Sequence, residues 1–221
     1  RDRAKIKAMG YAGGGKMYRR IVFPIYDLDN QIHGFSGRYV GSDERFPKWK
    51  HLGRKSGWIY PHQLSFSAIE ETGEVILVES IGDCLALYEN GFENVLVTFG
   101  LDASPKIISY LNSFNLNRII ISTNNDQDAD SNSGGIAAIK AAAKLSQVFD
   151  LSLIVINPPL SNDFGDMAVE GKDFKEWHKR SDKWKMNDPA FQNWILRKIN
   201  STEKLKKNTH CQKLIKILNG S

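Results

Sequence analysis

Only two cysteines, Cys84 and Cys211, occur in the 221 residues. Two thiols cannot make a Cys-rich zinc site by themselves, and no disulfide framework is expected. Long apolar runs are also missing. No stretch approaches the ~20 residues a membrane helix needs, and no signal peptide opens the chain. The composition therefore predicts a soluble intracellular protein with no membrane partner and no zinc site in this chain. The first residue is Arg1 rather than Met, so a segment of a longer protein is expected. Positive charge is scarce in the middle: residues 61–170 hold 4 Lys/Arg against 15 Asp/Glu. Each flank reverses this, with 13 Lys/Arg against 5 Asp/Glu in both 1–60 and 171–221. An acidic centre between basic flanks suits a metal-dependent enzyme acting on polyanions. For the tail alone, a solvated lysine-rich surface is an equal reading.

With 41% hydrophobic residues, the chain can hold one good core plus a smaller subdomain. The central pattern is regular. Val75–Val78 is a short continuous apolar run and reads as a buried strand, followed at once by helical spacing over Ile81–Asn90 with Gly91 as the stop. Strand Val95–Thr98 leads to helix Pro105–Ser113, with Ser104 as N-cap and Pro105 at the first helical position. Strand Ile119–Thr123 leads through a polar loop to helix Gly135–Phe149, and strand Leu151–Ile156 ends at Pro158-Pro159. This alternation predicts an α/β fold: a mostly parallel sheet with helices on both faces. A small basic α+β subdomain precedes it and a helical tail follows, giving parts at 1–68, 69–170 and 171–221.

In the first part, Arg20–Asp27 and Gln31–Arg38 read as two strands of a hairpin around Asp29-Asn30. Gly10–Lys16 nearly spells a phosphate loop, but Met17 stands where Ser or Thr would hold magnesium and no clear strand precedes it, so it reads as a flexible linker. Beyond the hairpin, Arg38, Arg45, Lys48, Lys50, Arg54 and Lys55 are interleaved with Phe46, Trp49, Trp58 and Tyr60. Cations neutralise phosphates and aromatic faces stack on bases. A structural role in the subdomain's own core is the better reading for Phe23, Phe35 and Tyr60. In the tail, Trp177, Trp184 and Trp194 read as packing anchors, and no catalytic role is expected there.

Three strand ends carry acids. Glu79 follows the first strand with Asp83 close behind; Asn124, Asn125, Asp126, Asp128 and Asp130 follow the third; Asn162, Asp163 and Asp166 follow the fourth. Parallel strands bring these ends to one edge, where ligands collect in open α/β sheets. Clustered carboxylates repel unless cations neutralise them, and oxygen ligands suit Mg²⁺ or Mn²⁺. An EF-hand is excluded, since Ser131 and Ala137 occupy its glycine and closing Glu positions. Asp and Asn also favour turns and caps, so any single acid has a purely structural alternative.

These residues resemble the Toprim domain of bacterial and phage DnaG-type primases, topoisomerases and some nucleases. Val-Glu79-Ser-Ile-Gly-Asp83 is similar to the first motif, with Ser80 for the usual Gly. Thr123-Asn124-Asn125-Asp126 resembles the second, with Asn124 at the first Asp, and Asn162-Asp163-Phe-Gly-Asp166 the third. Arg20-Ile-Val-Phe-Pro-Ile, Gly34-Phe-Ser-Gly-Arg38 and Pro47-Lys48-Trp49 resemble the basic subdomain that precedes Toprim in primase catalytic cores, with His51 near a frequent Asn. The resemblance covers roughly residues 18–170. It implies Glu79, Asp83 and Asp126 as catalytic residues, and Glu79, Asp126, Asp163, Asp128, Asp166 and Asn124 around Mg²⁺ or Mn²⁺. Arg20, Arg38, Lys48, Lys50, Arg54 and Lys55 would hold template or nucleotide phosphates. The implied activity is a nucleotidyltransferase making short RNA primers on a single-stranded DNA template from NTPs during DNA replication. The implied setting is the cytoplasm of a bacterium or phage-infected cell, with a replicative helicase and a zinc-binding module upstream or on another chain. A Toprim nuclease, or a nucleic-acid-binding protein with weakened catalysis, is the alternative. A topoisomerase would need a separate domain with a nucleophilic Tyr.

Overall fold

The computed structural model describes residues 10–12, 15–100, 102–125 and 133–220. Asp126, Asp128 and Asp130 lie outside the described residues.

Two four-stranded sheets organise the chain. The first is antiparallel in the order β1 (Gly10–Ala12), β2 (Arg20–Tyr26), β3 (Ile32–Tyr39), β4 (Trp49–Leu52). β2 and β3 pair from Arg20↔Tyr39 to Tyr26↔Ile32 around a turn closed by the Asp27 carboxylate, which accepts from the Asp29 and Gln31 amides. Gly10–Ala12 pairs antiparallel with Val22–Arg20, so the segment read as a flexible linker contributes a strand. That pairing needs a partner strand, which local sequence does not reveal. Helix α1 (His62–Thr72) follows, stopped by Gly73 at φ 62°, a left-handed cap that glycine adopts without strain.

The second sheet is wholly parallel, in the order β6 (Val95–Val97), β5 (Glu74–Val78), β7 (Arg118–Ser122), β8 (Ile154–Ile156). Its strands alternate between two cores, as a period of two residues requires. Val75, Leu77, Ile119, Ile121, Ile154 and Ile156 face one side, and Ile76, Val78, Ile120 and Val155 the other. Both faces are buried, which is why the strands read as unbroken apolar runs. Helices α3 (Pro105–Leu111) and α4 (Ser133–Leu145) cover the first face; α2 (Ile81–Glu89), α5 (Phe164–Val169) and α6 (Phe174–Arg180) cover the second. Ser104 caps α3 and accepts from the Ile107 amide, as Ser-Pro predicts.

The tail does not stand apart. Helices α7 (Pro189–Ser201), α8 (Glu203–Lys206) and α9 (Thr209–Leu218) place Ile195, Ile199, Leu205 and Leu214 in the same core as Ile139 and Ala142 of α4. Trp177 is fully buried on the opposite face, an anchor as expected, whereas Trp184 is 37% exposed. Element ends moved by a few residues. The last strand is shortened most, because Leu151–Leu153 forms a 3₁₀ turn before the strand starts at Ile154. Among the described residues, no helix is long and apolar enough to cross a membrane.

Candidate metal and nucleotide cleft

The carboxyl edge of the parallel sheet faces one surface of the antiparallel sheet across a cleft of about 230 Å³. From the parallel sheet come Glu79 after β5, Phe99 and Gly100 after β6, Asn124 after β7 and Asp163 after β8. Opposite them stand Ser36, Lys48, Trp49 and His51. Parallel strands converge these acids because every strand ends at the same edge.

Register explains which basic residues take part. Ser36 pairs with His51 and Arg38 with Trp49, so these four share one face of the antiparallel sheet. Arg38 lies over the Trp49 ring at 5.6 Å. Burial lowers its pKa, an effect opposed by the Asp163 carboxylate. Its Nη1, like Ser36 Oγ and His51 Nδ1, is buried without a hydrogen-bond partner. Burial, then Lys55 and Arg20, lowers the His51 pKa to about 4, so its ring is neutral at pH 7.

Other members of the expected basic set fall elsewhere. Lys50 pairs with Gly37 on the opposite face of the sheet. Arg20, only 2% exposed, donates to the carbonyls of Gly37 at 3.0 Å and Pro47 at 2.8 Å. It holds the β3–β4 connection and does not line the cleft. Arg54 is exposed and donates to Ser56 Oγ. Lys55 donates to the Phe99 carbonyl at 2.8 Å, tying the turn after β4 to the β6–α3 connection. Phe99 has φ 57°, an uncommon conformation for a bulky residue, and packs edge-on against Trp58 at 4.8 Å. Trp58 and Tyr60 are buried, so of the four interleaved aromatics Trp49 alone lines the cleft.

The acids are positioned by caps. Ser80 is the N-cap of α2, and Asp83 completes a capping box: the Ser80 amide and hydroxyl donate to Asp83 Oδ2 at 3.1 and 2.7 Å. The other oxygen, Oδ1, accepts from the Phe164 amide at 3.2 Å. Asp83 is 4% exposed, and burial, opposed by the Ser80 hydrogen bond, raises its pKa. It positions the site. Asp163 caps α5 and accepts from the Asp166 amide at 2.7 Å, while Asp166 is exposed and does not line the cleft. Glu79 Oε1 accepts from the Asn124 amide at 3.2 Å, which locks the first strand end to the third. Among the described residues, no three His, Cys, Asp or Glu side chains cluster closely enough to form a ready metal cage.

Sequence reasoning missed Ser36 and Phe99–Gly100 as cleft residues. Gly100 sits at a strand end on the same edge as the acids, which was the available signal; no acid marked it.

The Toprim-like family model matches residues 76–168. A DNA primase of Borreliella burgdorferi is 27% identical over 163 residues, which are 71% of this chain and 29% of the relative. The Escherichia coli primase catalytic core superposes with a TM-score of 0.63 at 22% identity, covering 86% of this chain and 60% of that one. A DnaG primase catalytic domain bound to single-stranded DNA superposes with a TM-score of 0.65 at 18% identity, covering 97% and 74%. Fold and matched segment thus define a Toprim-like α/β domain. More narrowly, the chain is similar in sequence to bacterial DNA primases over part of their length and shares the fold of the DnaG catalytic core. It spans under a third of the length of that curated relative.

Proposed function

We propose that this chain is the catalytic core of a DnaG-type primase, joining ribonucleotides into short RNA primers on single-stranded DNA. The observation that carries the reading is one cleft shared by Glu79, Asn124 and Asp163 on one side and by Lys48 and the Arg38 face on the other. A nuclease needs the acids but not this opposed basic surface.

The oxygen donors of the cleft fit a hard divalent cation. Glu79 and Asp163 would hold Mg²⁺ or Mn²⁺ together with Asp126 and, through its amide oxygen, Asn124; Asp128 and Asp166 stand in reserve. When bound, the ion supplies charge neutralisation at the phosphates and a more acidic 3′-hydroxyl. The chain's own residues bind and orient. Lys48 and Arg38 neutralise triphosphate oxygens, and the Trp49 ring offers an apolar wall. The primer 3′-hydroxyl oxygen forms a bond to the α-phosphorus of the next NTP and gives its proton to solvent water, the α–β bridging P–O bond breaks, and pyrophosphate leaves with the electron pair. Lys55 holds the Phe99 connection, and Lys50 and Arg54 extend the basic surface outside the cleft. The three-part division at 1–68, 69–170 and 171–221, a cytoplasmic setting, and a helicase and zinc-binding module as partners belong to this reading.

Incubation with single-stranded templates, NTPs and Mg²⁺ or Mn²⁺ tests it. Template-dependent RNA primers are expected; template cleavage, or binding alone, would overturn the reading.

A further inference from the structure

A second cavity, of about 450 Å³, lies between α4 and the α7–α8 junction. We infer that it is a binding groove for single-stranded nucleic acid leaving or approaching the acidic cleft. Its floor is Ile136, Ile139 and Leu205; Trp194 forms a wall, and Lys198 and Lys204 stand at the edge. This combines an aromatic face with cations, the pairing that binds single strands without regard to sequence. Lys198 Nζ lies 5.9 Å from the Trp194 ring centre, and Phe191 stacks parallel to that ring at 5.4 Å, which fixes its plane.

Charge points to a polyanion. From residue 189 to the end, the chain has seven Lys/Arg and one acid, Glu203. That acid also lines the groove but is paired with Lys206 at 3.4 Å and Lys207 at 3.7 Å. Position points to the same polyanion that the cleft would handle. Asn124 lines the cleft, the backbone of Gly134 lies against the Asn124 carbonyl, and the next residue, Gly135, lines the groove. Residues at the start of α4 thus touch a cleft residue on one side and line the groove on the other. The direction of the strand rests on the primase reading; the binding itself does not.

The test is fluorescence anisotropy of a labelled oligo(dT) with the full chain across a salt series, without NTPs or metal. Lys198→Gln with Lys204→Gln should weaken binding and lower the log–log salt slope by about 1.4, at ~0.7 per lost phosphate contact. Trp194→Leu should weaken binding about tenfold. Unchanged affinity and slope in the double variant would overturn the inference, as would equal competition by polyglutamate, which would mark a surface for acidic proteins. Primer synthesis is measured alongside. Normal synthesis by the wild type with unaltered binding by the double variant sinks the groove alone; groove-dependent binding without synthesis sinks the primase reading alone.

Discussion

The Asp83 carboxylate accepts a hydrogen bond from the Phe164 amide at 3.2 Å, across 81 residues of sequence. The same carboxylate closes the capping box on Ser80, so one side chain fixes the residue after Glu79 and the residue after Asp163 together. Removing it strands a buried amide and a hydroxyl. Asp83→Ala should cost about 2–4 kcal/mol in chemical denaturation. Activity should fall further than stability explains, and Asp83→Asn, which keeps one acceptor, should recover part of both.

Gly134 makes the corresponding join at the third strand end. A Cβ there would collide with the Asn124 carbonyl oxygen, and the Thr123 hydroxyl donates to the Gly134 carbonyl at 2.8 Å. Gly134→Ala should therefore push α4 from the cleft, costing about 1–3 kcal/mol of stability. Thermal melting checks the loss, and a rise in the metal concentration needed for half-maximal activity checks the displacement.

Arg20 and Lys48 should separate cleanly, although both are basic residues in motifs of the same resemblance. Arg20→Lys cannot reach the Gly37 and Pro47 carbonyls as a fork. It should lower stability by about 1–3 kcal/mol while leaving the salt slope of DNA binding unchanged. Lys48→Gln, at the cleft edge, should leave melting unaltered and raise the KM for NTPs.

Much of this site was legible in sequence. The strand–helix junction at Glu79 was readable because β5 is buried on both faces and therefore unbroken by polar residues, and because Ser80 and Asp83 are a capping pair. The parallel order carried Asp163 to the same edge. What was not legible depends on cross-strand register. Alternation in β4 sends Trp49 and His51 toward the cleft and Lys50 away, and a list of basic residues does not contain that phase. Strand β1 escaped for a related reason, since its glycine-rich sequence gains strand structure only by pairing with β2.

His51 gives a pH signature. Its pKa is lowered to about 4 in the folded chain by burial, against an ordinary value of 6.5. The unfolded state therefore binds the extra proton first, and stability falls as pH drops from about 6.5 towards 4. With allowance for partial exposure, the loss is about 1–2 kcal/mol. His51→Gln should flatten that part of the stability–pH curve relative to wild type; parallel curves would contradict the assignment.

The Glu79 carboxylate lines the cleft, accepts from the Asn124 backbone amide at 3.2 Å, and anchors the proposed metal site. The most direct test of that role is a radiolabelled primer assay comparing wild type with Glu79→Gln on single-stranded template, with NTPs and Mg²⁺. The amide keeps the size and one acceptor but removes the charge. Primer yield should fall more than about a hundredfold while melting and DNA binding stay close to wild type. Full primer synthesis by the variant would contradict the site.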